Sequence, residues 1–141
     1  DAYDIRIAQR QDFSDILSDL TQIMSPRYVT KSGAIVWIEP TRAAITVDVD
    51  SAASGLTPAT LASHTLPEIF YLLRLRGLAG RVLIDIPYLN RASRKKFEIE
   101  IKALCKSDPR QPEYSGFTPS GLVELRYRYG RQPLDKSLES L

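Results

Sequence analysis

Two aspartates close two apolar, β-branched runs: Asp48 in AITVDVDS (44–51) and Asp85 in RVLIDI (81–86). Runs of this composition form strands, and strands laid side by side bring their terminal carboxylates to one edge of a sheet. The period of two puts Thr46, Asp48 and Asp50 on one face of the first strand, opposite Ile45, Val47 and Val49. Asp85 is the only acid in its run, and a carboxylate in such surroundings is costly unless it is paired, protonated or metal-bound. A hard cation answers that requirement. Magnesium commonly takes one or two carboxylates and keeps waters that reach a substrate phosphate. Water held in this way can act as a nucleophile at neutral pH. The plainer alternative is that Asp48, Asp50 and Asp85 cap the turns that follow them, a place where aspartate is favoured for its own hydrogen bonding.

The elements that must position these carboxylates are legible from periodicity. Residues 12–24 place Phe13, Ile16, Leu17, Leu20, Ile23 and Met24 at steps of three and four, which predicts an amphipathic helix covering one sheet face and ending at Ser25-Pro26. Strand-like runs at 34–39 and 44–50, separated around Pro40-Thr41-Arg42, predict an antiparallel hairpin. Residues 51–57 read as a loop directly after the first aspartate. A helix is expected over 66–75, with Pro67 and Glu68 in its first turn and Gly77 as its stop. Strand, helix, strand then calls for a right-handed crossover with the two aspartate strands parallel, the arrangement whose carboxyl edge usually takes ligands. A further helix is predicted over 91–106, with Phe97, Ile101 and Leu104 on one face and Arg94, Lys95 and Lys96 crowding its start. Like charges there oppose the helix dipole and hint at an anionic partner. Residues 107–120, with three prolines, read as a loop before a last strand at 122–129, and nothing regular is expected from Gln132 onward. The fold class is therefore α/β, with a mixed sheet of about four to five strands flanked by helices and a βαβ crossover joining the aspartate strands.

A chain of 141 residues, 43% hydrophobic and 26% charged, suits one domain over 1–131 followed by a tail over 132–141. Its net charge of +2 neither requires nor opposes nucleic acid. In the last strand Val123, Leu125, Tyr127 and Tyr129 alternate with Glu124, Arg126 and Arg128. Arg126 and Arg128, with Arg74 and Arg76, are candidate RNA contacts on charge alone, set against the commoner role of solvated surface charge. The lone cysteine, Cys105, excludes an internal disulfide and a cysteine-based zinc site and fits a reducing, cytoplasmic setting. No run reaches the roughly 18 apolar residues of a membrane span. Glycine-rich phosphate loops, serine elbows and Cys-His dyads are absent, and His64 reads as an ordinary surface residue. Because the chain opens on Asp1 rather than Met, we expect a fragment of a larger parent, through which copies could assemble.

Taken in order, SGAIVWIEPTRAAITVDVDS (32–51), EIFYLLRLRGLAGRVLIDI (68–86) and GLVELRYR (121–128) resemble the DNase I-like catalytic subdomain of the ribonuclease E/G family. The resemblance implies a bacterial endoribonuclease cutting single-stranded RNA with magnesium held by two aspartates. The family's AIDVNS segment matches TVDVDS here and its VIDFIDM segment matches LIDIPYL, so Asp48 and Asp85 inherit the two metal-ligand roles. Asp50 falls where the family has an asparagine that helps orient the phosphate or water, and Tyr88 falls where the family has an acid. Ala62-Ser63-His64 replaces the family's Asn-Leu-Glu, and the family's zinc-link cysteine pair has no counterpart. These departures set a second expectation beside the first: a degenerate, non-catalytic domain of the same fold that binds RNA or a protein.

Overall fold

Alternation of buried and exposed positions builds the centre of the molecule. In the computed structural model, described over residues 10–130 and 133–139, β2 (Ile35–Pro40) and β3 (Ile45–Asp50) form the expected antiparallel hairpin, with Trp37 opposite Asp48 and Val36 opposite Val49. Thr41 closes the turn, its amide and hydroxyl both donating to the Ala44 carbonyl at 2.8 and 2.7 Å. β1 (Arg27–Val29) pairs with the outer side of β2. β4 (Gly80–Asp85) lies parallel to β3, β6 (Val123–Tyr127) is antiparallel to β4, and β5 (Glu113–Phe117) forms the far edge. The sheet has six strands in the order β1-β2-β3-β4-β6-β5, one or two more than the sequence suggested.

The additional strands are β1 and β5, and β5 corrects the expectation of a loop over 107–120. Pro109, Pro112 and Pro119 flank this strand rather than interrupt it. At Gly116 a positive φ of 104° and a register shift between Tyr114 and Gly116 make a bulge, which hides the strand's alternation from a sequence reading.

Two helices cover one face of the sheet. α2 (Pro58–Leu75) starts eight residues before the predicted 66, so Pro67 lies inside the helix instead of in its first turn. The start signal is local: Thr57 Oγ1 accepts from the Thr60 amide, and Pro58 occupies the first turn, where a missing N–H costs nothing. Its stop is the predicted Gly77, whose φ of 67° lets the Leu78 amide reach back to the Leu73 carbonyl at 3.0 Å. α3 (Arg91–Ser107) is capped by Asn90 and packs beside α2, with Ser63 donating to Glu100 at 2.6 Å. Leu61, Leu66, Ile69, Leu72 and Leu73 of α2 and Phe97 and Ile101 of α3 meet Val36, Ile38, Val47, Val82, Ile84, Val123 and Leu125 of the strands in one core. On the opposite face Trp37, Thr46, Asp48, Asp50, Arg81 and Asp85 are exposed.

The terminal helices depart from expectation. α1 (Arg10–Met24) has the predicted helical form, but none of its described side chains is buried and Ile16 and Leu17 are more than half exposed, so it does not cover the sheet as its pattern suggested. The predicted contribution of Phe13 lies outside the described side chains. Residues expected to lack an element include α4 (Leu134–Glu139), whose Leu134 amide donates to the Arg76 carbonyl at 2.9 Å. No helix among the described residues is long and apolar enough to cross a membrane.

Two tests follow from this packing. Leu73→Ala, at a fully buried position, is expected to cost about 2–5 kcal/mol in urea unfolding. Burial, aided by Asp108, pushes the Cys105 thiol from its ordinary 9.0 up to about 11, and burial with Glu98 pushes the Tyr114 hydroxyl from 10.0 up to about 12. Both groups ionise more readily in the unfolded chain, so their stabilising contribution is complete below about pH 9 and declines as pH rises toward about 12. The urea midpoint should fall across that window; a rising midpoint would contradict these environments.

Candidate functional site

Parallel pairing of β3 with β4 sets the geometry. The register matches Ile45 with Val82, Thr46 with Leu83, Val47 with Ile84 and Asp48 with Asp85. Registered residues on parallel neighbours project from the same face, and the strands themselves are roughly 4.8 Å apart. Val47, Val49 and Ile84 point into the core, so Asp48 and Asp85 project together from the exposed face at the carboxyl edge. The crossover through α2 makes this possible, because it returns the chain to the starting end of the sheet and lets β4 run in the same direction as β3.

The three aspartates are not equivalent. Asp50 Oδ1 accepts from the Ala52 amide at 2.9 Å, supporting a residue held at a φ of 44°. The capping alternative therefore describes Asp50. Asp48 and Asp85 make no such bond: among the described residues neither carboxylate takes part in a hydrogen bond or an ion pair. Both are exposed, which revises the expectation that Asp85 would be a costly carboxylate in apolar surroundings. The apolar residues beside it in sequence turn the other way.

The donor set is a pair of free carboxylates. Among the described residues no group of three or more His, Cys, Asp or Glu side chains is placed to hold a metal. An all-protein cage is therefore not available there, whereas a cation that binds through one or two carboxylates and retains water suits a pair. Trp37 of β2 registers with Asp48 from the other side, so the exposed row reads Trp37, Asp48, Asp85 across three strands.

The four arginines proposed from charge fall into two groups. Arg74 and Arg76 sit at the carboxyl end of α2, which leads into the amino end of β4 and so lies at the sheet edge opposite the aspartates. Arg74 pairs with the buried Asp108 at 3.1 Å, and Arg76 is itself buried and donates to the Ile38 carbonyl at 3.1 Å. Burial lowers the Arg76 pKa, an effect only partly offset by Asp135. Their positions explain them as fasteners of the α2 terminus. Arg126 is exposed on the aspartate face but registers with Arg81, four residues and about 13 Å along β4 from Asp85. Arg128 pairs with Glu113 at 3.2 Å.

Cations nearer the carboxylates come from the start of α3, which follows β4 directly. Arg91, Arg94, Lys95 and Lys96 are all exposed there. Their crowding was visible in the sequence as a conflict with the helix dipole, and the structure places Arg94 in one cavity with Asp85. Arg94 stacks on Phe117 with its guanidinium carbon 3.8 Å from the ring centroid. Asp85, Tyr88, Arg94 and Phe117 line one cavity of about 360 Å³.

Fold and edge together define the class: an α/β domain with an acidic pair at the carboxyl edge of parallel strands, flanked by exposed cations. Sequence comparison is more specific. The profile of the Ribonuclease E/G family matches residues 5–129, and the chain belongs to that family. It is similar to Ribonuclease E of Nostoc sp. (strain PCC 7120), with 31% identity over 134 residues covering 85% of this chain and 19% of the relative. It is also similar to Ribonuclease G of Salmonella typhimurium (strain SL1344), with 26% identity covering 90% of this chain and 27% of the relative. The chain thus spans about a fifth to a quarter of the length of these curated relatives.

The division among the arginines is testable by stability alone. Arg76→Ala leaves the Ile38 carbonyl without its donor and is expected to cost roughly 1–3 kcal/mol in urea unfolding. Arg126→Ala, at an exposed position, should leave the unfolding midpoint nearly unchanged. Equal effects would contradict the assignment.

Proposed function

We infer that this domain is a magnesium-dependent endoribonuclease unit acting on single-stranded RNA, of the kind used in RNA processing or decay. The observation that carries this reading is the register match of Asp48 with Asp85, two exposed carboxylates with no partner among the described residues, within a chain of the ribonuclease E/G family. Asp48 and Asp85 would hold the ion. Magnesium, when bound, supplies Lewis-acid stabilisation of a phosphoryl oxygen and activation of water. The chain's own residues supply the frame. The β3–β4 ladder fixes the spacing of the two carboxylates, and the open face leaves them accessible to a phosphodiester. Asp50, tied to the Ala52 amide, adds negative charge on the same face close to the pair. Arg91, Lys95 and Lys96 offer phosphate contacts from the start of α3, a stronger placement for RNA than Arg74 or Arg76.

A second reading keeps the fold and RNA or protein binding but not turnover. It draws on the exposed Tyr88 beside Asp85 and on the engagement of Asp50 in its own turn.

The nuclease reading expects cleavage of single-stranded RNA in magnesium and none in chelator, with Asp48→Asn and Asp85→Asn each lowering the rate by roughly 100-fold or more. As a readout independent of turnover, manganese should broaden the backbone amide signals of Asp48, Val49, Asp85 and Ile86, and the double substitution should remove that effect. Undiminished cleavage by either variant would overturn the site. RNA binding in chelator without any cleavage in magnesium would favour the second reading.

A further inference from the structure

Tyr88 follows the second candidate ligand by three residues and is 87% exposed; Tyr129 is comparably open at 83%, but Tyr88 is the one that lies beside Asp85. It lines two adjoining hollows. One, of about 360 Å³, is shared with Asp85, Arg94, Phe117, Ser120 and Gly121; the other is shared with Thr57 and Asn90. The larger hollow contains an aromatic ring open to solvent and a guanidinium plane already stacked on a second ring at 3.8 Å. Arg94 keeps nearly half of its side-chain surface exposed and meets Glu98 only at 4.0 Å, so its donors remain available to a ligand. Planar groups of these two kinds are the ones that stack unpaired bases.

We propose that the hollow bounded by Tyr88, Arg94 and Phe117 is a base subsite, which takes one unpaired nucleobase of RNA next to the candidate metal site at Asp48 and Asp85. This inference deepens the ribonuclease reading and rests on it. Three features select a nucleobase as the occupant. The hollow includes Asp85 in its lining, so an occupant is continuous with the candidate phosphate position. Arg91, Lys95 and Lys96 on the exposed first turns of α3 provide charge for the flanking phosphates. The volume lies at the small end of the range for ligand sites, enough for a single base and far too small for a stacked duplex. A base must leave any helix to enter, so the subsite selects single strands. Stacking rather than edge recognition makes it tolerant of base identity.

The test is binding of a short single-stranded RNA to the full chain in chelator at low salt, read by fluorescence anisotropy, so that cleavage does not intervene. Tyr88→Ala is expected to weaken binding roughly tenfold, and Tyr88→Phe to retain wild-type affinity. A sugar-phosphate strand of the same length lacking bases should bind the wild type and Tyr88→Ala equally. Because Tyr88 is exposed, loss through misfolding is not expected, and matched unfolding midpoints check this. Tyr88-dependent binding in a chain that never cleaves supports the subsite while removing the nuclease reading. Cleavage that requires Asp48 and Asp85, together with Tyr88→Ala binding RNA as the wild type does, overturns the subsite and leaves the exposed ring to a protein partner. Absence of measurable RNA binding by the wild type also overturns it.

Discussion

The parallel ladder between β3 and β4 is the constraint on which the rest of the molecule depends. Two strands can run in the same direction only if the chain crosses from the end of one to the start of the other, and α2 spends 18 residues doing so. That helix must then bury an apolar face, which commits Val36, Val47, Val82 and Ile84 to its side of the sheet. The period of two sends Thr46, Asp48, Asp50 and Asp85 to the other side. The site is thus the complement of the core. A one-residue slip between the ladders would separate the carboxylates, and a slip within either strand would bury them at a cost the hydrophobic side chains oppose.

The same constraint explains the division of labour around the sheet. The carboxyl edge of β3 and β4 receives the start of α3, with its exposed cations, because the chain turns there directly from Asp85 through Pro87 and Asn90. The amino edge receives the end of α2, where Arg74 and Arg76 hold Asp108 and the Ile38 carbonyl. Arginine on one edge therefore maintains the fold, while arginine and lysine on the other remain available to an anion.

The central hairpin, β4, α3 and the paired aspartates were legible in the sequence because each rests on a local period uninterrupted by glycine or proline. The start of α2 was read too late because Leu66, Ile69, Leu72 and Leu73 give a strong pattern, whereas its first turns carry small residues whose only signal is Thr57-Pro58. β5 was missed because its bulge at Gly116 breaks the alternation, and α4 because six residues give too short a pattern. The amphipathic pattern of α1 was real but misleading, since the described residues of this chain provide no burial for Ile16 or Leu17. Charge was the least legible property. Composition could not separate the buried Arg76 from the exposed Arg91, because that distinction depends on which end of a helix meets which edge of the sheet.

Trp37 is the only tryptophan in the chain, and the ladder places it opposite Asp48 with its ring partly open to solvent. All indole emission from the protein therefore originates one strand away from the acidic pair. The molecule carries its own optical reporter, sensitive to the water and charge at that position, and an ion or a strand settling on the open face can be followed in the unlabelled chain.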